Sequence, residues 1–463
     1  MAHDILIRGG LLLDGTGAAG RLGDLAIRDG RIAAIGTDLG DDAAKVIDAT
    51  GLAVAPGFID IKTHSDFTLP INPKAESKVR QGVTTEIIGH CGFSVAPALP
   101  GKVELLRDYL SPSAPWLPFK ETSFPAYLDS FPATAVNAGM LVGHNTLRLM
   151  VMGMADRPPT SDELAQMIAL LEDALEAGAL GLSSGLFTAP GSYAQPDEMI
   201  ALCRVVKRYN GGYFTHLRDE SNKVLDALEE AIAIAEACGV HVEIVHFKCS
   251  GTDNWGKAAR ALDMIAAAKA RGLDVDCDSY PYAAGSNPLK NLMPQWVQAG
   301  GVAAMLERLA AKPTRERIRG DIDRDGLNNW GRLPSWDCVQ ISISPHLPQH
   351  AGRTIGARGR ARPGPDRHRR RLPDRGQGRD AGAGHLHCGR RHPHHRAFAA
   401  CTRRFRRQLR RDLWHREPGH AAPALLRHVP AHHRPLCRRA RPDPAGARRS
   451  QDDGSDRARA EAQ

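Results

Sequence analysis

Short apolar runs alternate with helix-like segments along most of this 463-residue chain. Between residues 56 and 343 the runs have the length of buried strands, and the segments between them repeat apolar residues every three or four positions. This alternation predicts parallel strand pairing, because each return to the next strand needs a crossover helix. We count about seven such strands, which predicts an α/β fold with a TIM-type (β/α)8 barrel that is incomplete, since a closed barrel needs eight strands.

Residues 1–54 have a different pattern, with short strand-like runs and no helical period. Runs at residues 5–7 and 11–13 precede a predicted hairpin, whose strands at 25–27 and 32–34 flank an Asp29-Gly30 turn signal. We therefore predict a small N-terminal β-sandwich domain over residues 1–54, followed by a barrel domain over residues 55–356.

Helix boundaries are marked at several places in the barrel domain. Thr160 and Glu163 form a capping-box pattern, and the apolar face that follows them ends at Gly178. A second helix is predicted to begin near Asp219 and to end at Gly239. Residues 136–144, 274–280 and 338–343 are further strand candidates.

The composition of the chain changes near Gly356. From Ala351 onward there are 29 arginines, no lysine and 10 acidic residues, which gives this part a net charge of +19. Because the whole chain has a formal charge of +9, the preceding part has a charge of −10. Low hydrophobicity combined with high charge predicts that residues 357–463 are a disordered tail rich in Arg, Pro and His.

A frameshift is the simplest explanation for this tail, because GC-rich DNA that is read out of frame yields Arg, Pro, His and Ala. Residues 403–415 (RRFRRQLRRDLWH) can be encoded by a DNA string that, read one base later, gives Val-Gly-Ser-Asp-Gly-Asn-Cys-Val-Ala-Thr-Tyr-Gly. The codons are chosen rather than observed, and a genuine basic tail remains the alternative. We predict a frame break near Gly356.

The tail also raises the hypothesis of a non-catalytic metal-binding protein with a basic arm for nucleic acid. The absence of lysine and of interleaved aromatic residues argues against a nucleic-acid partner. A tail metal site is disfavoured as well, since no periodic scaffold supports the clustered histidines, which are His392, His394, His395, His432 and His433. Nine irregularly spaced cysteines indicate reduced thiols, and no leader or membrane-spanning run is present, so a cytoplasmic location is expected.

Four potential metal ligands follow strand-like runs of the barrel domain: Cys91, His216, His246 and His64. A parallel barrel collects its strand ends on one face, so that ligands far apart in sequence can meet around one ion. A buried cysteine is commonly only a small apolar residue, but the joint occurrence of these residues favours a ligand set. Thiolate and imidazole together favour zinc, which would activate water and polarise an amide carbonyl.

From Asp4 to about Gly356 the chain resembles the N-acyl-D-amino-acid deacylases (D-aminoacylases) of the amidohydrolase superfamily. The resemblance rests on the motifs at residues 56–60 (PGFID), 63–66 (THSD), 89–94 (GHCGFS), 141–144 (LVGH), 178–186 (GALGLSSGL), 215–218 (THLR), 246–248 (HFK) and 280–282 (YPY). It implies a hydrolase that acts on a small-molecule substrate, with one tight zinc ion bound by Cys91, His216 and His246. Another C–N hydrolase, acting on a cyclic amide or on N-acyl-D-glutamate or aspartate, remains an alternative.

The resemblance also implies a weaker second metal site at a His-x-His pair, of which this chain keeps only His64. Lys62 stands at the first position of that pair, and an ammonium group cannot ligate a metal and would repel a second dication. We therefore expect one metal ion. By the same resemblance Lys248, Tyr280 and Ser286 would contact the substrate carboxylate, and Tyr193 lies in a loop expected to wall the pocket.

A departure from the family concerns the catalytic base. The resemblance implies an Asp in a Ser-Asp-Gly sequence at the end of the eighth strand, and no such Asp is identifiable in the tail as written. Its codon would straddle Arg406 and Arg407 in the shifted frame. General acid–base assistance is typically worth about 10²–10⁴-fold, so we expect this chain to be an impaired hydrolase.

Overall fold

The computed structural model describes residues 3–282, 284–344, 347–356 and 385–388. The strands of these residues are β1 (His3–Leu12), β2 (Arg21–Arg28), β3 (Arg31–Gly36), β4 (Ala43–Asp48), β5 (Ala53–Val54), β6 (Phe58–Asp60), β7 (Val83–Ile88), β8 (Asn137–Met140), β9 (Val142–Gly143), β10 (Gly181–Gly185), β11 (Gly212–His216), β12 (His241–Ile244), β13 (Val275–Cys277), β14 (Ser286–Pro288), β15 (Val339–Ile343) and β16 (His385–Cys388). The α-helices are α1 (Glu76–Val79), α2 (Val103–Leu110), α3 (Phe124–Asp129), α4 (His144–Met152), α5 (Ser161–Glu176), α6 (Pro196–Arg208), α7 (Val224–Cys238), α8 (Lys257–Ala270), α9 (Gln295–Gln298), α10 (Gly301–Ala310) and α11 (Lys312–Asp325).

The first five strands form one sheet with the order β3-β2-β1-β4, and β5 pairs with β1. The two predicted runs at residues 5–7 and 11–13 belong to the single strand β1, with an irregular register between Ile7 and Gly10. The predicted hairpin joins β2 to β3, and its turn residues Asp29 and Gly30 have φ values of +52° and +70°, as a tight two-residue turn requires. Residues 3–54 form this one sheet, so the second layer of a sandwich stays a prediction.

Seven of the predicted runs form parallel strands that pair in sequence order. Strands β6, β7 and β8 make one parallel sheet, and β9 to β13 make another. The predicted strand at residues 136–144 is divided at Leu141 into β8 and β9, so that it supplies an edge to each sheet. This is the α/β pattern that the sequence predicts. Closure into a barrel stays a prediction.

The strand candidate at residues 338–343 is a strand, but it does not join the parallel sheets. Residues 338–343 contain β15, but β15 pairs antiparallel with β16, which pairs antiparallel with β14. A period-two run of apolar residues predicts a strand without specifying its partner, and here the partner lies in the tail. The rest of the tail, for which we predict disorder and a frame break, lies outside the described residues.

The parallel strands bury both faces, as strands between a helical layer and an inner core do. On the helical side, Leu182, Tyr213, Val242 and Val275 pack into the main hydrophobic core with helices α5 to α8. The opposite side of the strands carries a smaller core, which consists of Ile87, Cys91, Leu141, Phe214 and Val245. Cys91 is thus anchored among inner-face side chains.

Helix boundaries follow the predicted signals in one helix and depart from them in another. Helix α5 begins at Ser161 with both bonds of the Thr160–Glu163 capping box formed. Helix α7 begins at Val224 rather than near Asp219, because the Asp219 carboxylate accepts bonds from the backbone N–H groups of Ser221 and Lys223 and holds this segment as a loop. The helix ends at Gly239 as predicted.

Among the described residues, no helix combines the length and the apolar character that a membrane crossing requires.

Candidate metal centre

The structure brings Cys91, His216 and His246 together at the carboxyl ends of three parallel strands. Cys91 lies three residues beyond β7, His216 is the last residue of β11, and His246 lies two residues beyond β12. Their ligand atoms are all within 4.8 Å of one another, and the three residues are buried. Cys91 Sγ is 3.3 Å from His246 Nε2. Three side chains separated by up to 155 positions in sequence therefore form one compact donor set.

The backbone is strained at two of the three donors. Cys91 and His246 have φ values of +57° and +42°, a region that side chains with a Cβ rarely adopt. Glycines allow the chain to pack closely here, since a Cβ on Gly185 would lie 2.2 Å from the Cys91 carbonyl oxygen. Such strain is found at functional sites, where the surrounding packing holds it.

The protonation states suit metal binding. Burial lowers the pKa of His216 and of His246, so both imidazoles are neutral at pH 7 and can act as ligands. Burial raises the pKa of the Cys91 thiol, so that ionisation of this sulfur needs a cation beside it. Two neutral imidazoles and a buried thiol fit a single zinc ion, with a fourth position left open.

The sequence reasoning missed Glu220, which orients both imidazoles. Its fully buried carboxylate lies 3.2 Å from His216 Nε2 and 3.0 Å from His246 Nδ1, and it accepts a 2.6 Å bond from Lys248 Nζ. Burial would raise the pKa of Glu220, but His216, Lys248 and His246 outweigh burial and hold this pKa well below its usual range. Glu220 is therefore a buried anion at the centre of the site. In the sequence, the spacing of four residues between His216 and Glu220 was the signal that could have indicated this contact.

Two further residues complete the surroundings of the imidazoles. Asn329 Nδ2 lies 2.9 Å from His216 Nε2 and 3.1 Å from a Glu220 oxygen. The Asp278 carboxylate accepts a 2.6 Å bond from the His246 backbone N–H, and burial raises the pKa of Asp278 well above its usual value. Asn329 is more than 100 residues from His216 in the sequence, and the residues around Asn329 form no pattern that predicts this contact.

The structure places His64 beside the donor set but outside the close cluster. Its ring stacks on Phe67 at 5.6 Å and lies 6.0 Å from Phe93. Its Nδ1 is buried and has no hydrogen-bond partner among the described residues. Burial, followed by the positive charge of Lys62, lowers the pKa of His64 well below its usual value. Lys62 thus lies close enough to influence the one histidine that remains of the predicted second site.

Lys248 and Tyr280 lie next to the donor set, and their contact with the substrate carboxylate stays a prediction. The Lys248 ammonium is 3.0 Å from His246 Nδ1, donates a 2.9 Å bond to the His246 carbonyl, and lies 5.5 Å from the centre of the Tyr280 ring. Lys248 also donates to Glu220, so two of its three N–H groups have protein acceptors, the His246 carbonyl and Glu220. The third N–H has no such acceptor when His246 Nδ1 is protonated and donates to Glu220.

Ser286 and Tyr193 have less direct relations to the cluster. Ser286 is exposed at the start of β14. Tyr193 is buried, and its hydroxyl has no hydrogen-bond partner in the described parts of the chain. Burial raises the pKa of Tyr193 to about 12, and the charged groups that influence it are Asp156, Arg308 and Arg148 rather than the metal donors. The roles of both residues stay predictions, and the predicted loss of the catalytic Asp concerns residues outside those described.

Comparison with known proteins identifies the family. A model described as "Amidohydrolase family" matches residues 45–312, which is more than half of the chain and includes all three donors. The chain belongs to the amidohydrolase family.

Several relatives of this amidohydrolase are deacylases, and two of the matching solved structures are described with zinc or with a metal centre. It is 44% identical over 294 residues to a D-aminoacylase of Alcaligenes xylosoxydans xylosoxydans, covering 62% of this chain and 59% of that protein. A crystal structure of N-acyl-D-glutamate deacylase from Bordetella bronchiseptica, complexed with zinc and a phosphonate inhibitor, matches with a TM-score of 0.63 and 34% identity, covering 78% of this chain and 68% of that one. A D-aminoacylase described as having a binuclear metal centre, with one-metal activation and second-metal attenuation, matches with a TM-score of 0.61 and 35% identity over 76% and 66% of the two chains.

The amidohydrolase chain spans about three fifths of the length of the curated deacylases that it matches. The donors, Glu220 and Lys248 all lie in the part that matches the family model. Asn329 lies beyond it.

Glu220→Gln should weaken zinc binding by about 10- to 100-fold, because partners that orient metal-binding imidazoles typically contribute that much to affinity. The measurement is competition for zinc between the full chain and a chelating dye, with circular dichroism and thermal melting to confirm folding. Glu172→Gln is the matched control, since Glu172 pairs with Arg208 on the surface, away from the donors. A well-folded Glu220→Gln variant with an affinity within about threefold of the parent would contradict the role of Glu220.

Proposed function

We propose that this amidohydrolase derives from a zinc-dependent deacylase that hydrolyses N-acyl-D-amino acids to a carboxylate and a D-amino acid. The observation that carries the proposal is the buried set of one thiol and two imidazoles within 4.8 Å. The names of its relatives, which are D-aminoacylase and N-acyl-D-aspartate and N-acyl-D-glutamate deacylases, supply the substrate class.

Cys91, His216 and His246 would hold the ion, and a bound zinc ion supplies Lewis-acid activation of the amide and of water. Glu220 and Asn329 fix the two imidazoles in place before substrate arrives, so no reorganisation is needed there. Lys248, together with Tyr280 and Ser286, would bind the substrate carboxylate, as a cation and two hydroxyls suit an anionic group. Since Lys248 is already paired with Glu220, its positive charge would be shared between Glu220 and the substrate carboxylate.

The C-terminal part explains why we propose that this chain is impaired. We infer that β6 to β13 form seven of the eight strands of a (β/α)8 barrel, with β8 and β9 counted together as one strand. In an intact frame, the eighth barrel strand and further strands of the N-terminal β domain would follow Gly356. The catalytic Asp would lie at the end of that eighth strand. An open barrel leaves β13 as an unprotected edge, which favours aggregation.

We also propose a cytoplasmic setting. The support is chemical: six cysteines are free thiols, and a reducing compartment keeps thiols in this state; they are Cys91, Cys203, Cys238, Cys249, Cys277 and Cys338.

Restoring the reading frame after Gly356 should raise turnover of an N-acetyl-D-amino acid by at least about 10²-fold, because a catalytic acid–base group contributes that much or more. The measurement is release of free amine from a panel of acyl-D-amino acids, including the glutamate and aspartate derivatives, with the L-enantiomers and a cyclic amide as controls. Turnover by the chain as it stands within about tenfold of the restored chain would refute the impairment. Hydrolysis of the cyclic amide alone by the restored chain would refute the deacylase assignment.

We further propose that the centre holds one zinc ion rather than two. Lys62 replaces a ligand of the expected His-x-His pair, and its charge acts on His64, which is the remaining member. A fixed ammonium beside the donors would lower the affinity of a second dication by direct repulsion. On this proposal Lys62 supplies the positive charge that a second metal supplies in binuclear relatives.

Lys62→His should therefore add about one zinc equivalent relative to the parent chain, since it restores a neutral ligand and removes a cation. Zinc would be counted by elemental analysis after dialysis against a fixed free zinc concentration. Lys62→Gln is the matched control, because it removes the charge without adding an imidazole, and it should bind as much zinc as the parent. About two zinc equivalents in the parent would contradict the one-ion proposal, and equal zinc content in the parent and Lys62→His would contradict the role of Lys62 in excluding a second ion.

A further inference from the structure

A second cluster of ligand-type side chains lies at the opposite end of the parallel strands. His241 begins β12, Asp274 immediately precedes β13, and Asp276 lies within β13. Their ligand atoms are all within 4.8 Å of one another. Because His246 follows the other end of β12, the length of this four-residue strand, about 10 Å at about 3.3 Å per residue, separates His241 from the end that leads to the zinc donors.

The register of the two strands explains why these side chains meet. Glu243 on β12 pairs with Asp276 on β13, and Val242 pairs with Val275. One position earlier, His241 lies alongside Asp274, and its Nδ1 is 3.1 Å from an Asp274 oxygen. Since residues alternate between the two faces of a strand, His241, Glu243 and Asp276 share the face opposite the helix-packed valines.

Glu243 provides an independent indication that the cluster takes a ligand. The residue is 2% exposed, and its Oε2 lies 3.7 Å from His241 Nε2. Its other oxygen, Oε1, is buried and has no hydrogen-bond partner among the described residues. A buried carboxylate oxygen without a partner is destabilising, and a cation between His241 and the acids would satisfy it.

We propose that His241, Glu243, Asp274 and Asp276 form a second divalent-metal site, distinct from the zinc centre and independent of the deacylase reaction. One imidazole with several carboxylate oxygens suits a harder ion such as Mn²⁺, whereas the thiolate set suits zinc. The ion would link β12 to β13, which is the short edge strand of its sheet. Its role would be structural, because it would stabilise the pairing of the short strand β13 with β12.

The alternative is that these side chains form a network of ion pairs and bind no metal ion. Burial would lower the pKa of His241, but its bonds to Asp274 and Glu243 raise this pKa to about 9, so that in the absence of metal the imidazole is protonated between the carboxylates. Lys269 also pairs with Asp276. The two arrangements differ in one measurable respect, since only the proposed site takes up a cation.

The test is a Mn²⁺ titration of the full chain at pH 7.5 after loading about one equivalent of zinc, which the thiolate site takes first. Loss of the electron paramagnetic resonance signal of free Mn²⁺ reports binding. We expect about one bound Mn²⁺, an affinity at least about tenfold weaker in His241→Gln and in Asp274→Asn, and a melting temperature that rises with Mn²⁺ in the parent but not in these two variants.

Cys91→Ala is the control that separates the two sites. Titrated without added zinc, since zinc would otherwise compete for the His241 site, this variant should lack tight zinc binding and keep Mn²⁺ uptake unchanged, so failure of the zinc centre and failure of this site are distinguishable. No Mn²⁺ uptake by the parent would overturn the proposal in favour of the ion network. Uptake that is lost in Cys91→Ala, or that persists in folded His241→Gln, would also overturn it, because the ion would then be bound elsewhere.

Discussion

The interaction on which the site depends is the contact of one buried carboxylate with two imidazoles. Glu220 has no exposed surface, and burying an anion is unfavourable unless charges and hydrogen bonds compensate. Compensation comes from Lys248, His216 and His246, and the same contacts fix the orientation of the rings. Removing Glu220 would leave the half-buried Lys248 cation without its carboxylate partner. The arrangement therefore links the stability of the strand ends to the geometry of the donors.

Much of the fold followed from the sequence because buried parallel strands and helix caps have local signals. The seven runs that form the parallel strands, the turn at Asp29 and the cap at Thr160 were each specified by a short segment. The donors Cys91, His216 and His246 followed from one topological rule, that parallel strands end on a common face. The pairing of one strand could not be predicted, because it depends on a distant partner: the run at residues 338–343 is a strand whose antiparallel partner lies in the tail.

The surroundings of the donors were less accessible to sequence reasoning. Asn329 contacts His216 across 113 positions, and an asparagine in a loop carries no pattern that predicts such a contact. Glu220 was assigned to a helix start, although Asp219 holds its segment as a loop that presents Glu220 to the imidazoles. Lys248 was expected to be available to substrate, whereas two of its N–H groups donate to Glu220 and to the His246 carbonyl. Side-chain networks of this kind are fixed by three-dimensional packing rather than by period or propensity.

The central claim is that a sulfur and two ring nitrogens from separate strands hold one ion, and X-ray absorption at the zinc edge tests it most directly. With about one zinc equivalent bound to the full chain, the account predicts one sulfur neighbour at about 2.3 Å and nitrogen or oxygen neighbours at about 2.0–2.1 Å. The sulfur shell should disappear in Cys91→Ala. A zinc spectrum without sulfur in the parent chain, or one unchanged by that substitution, would contradict the account.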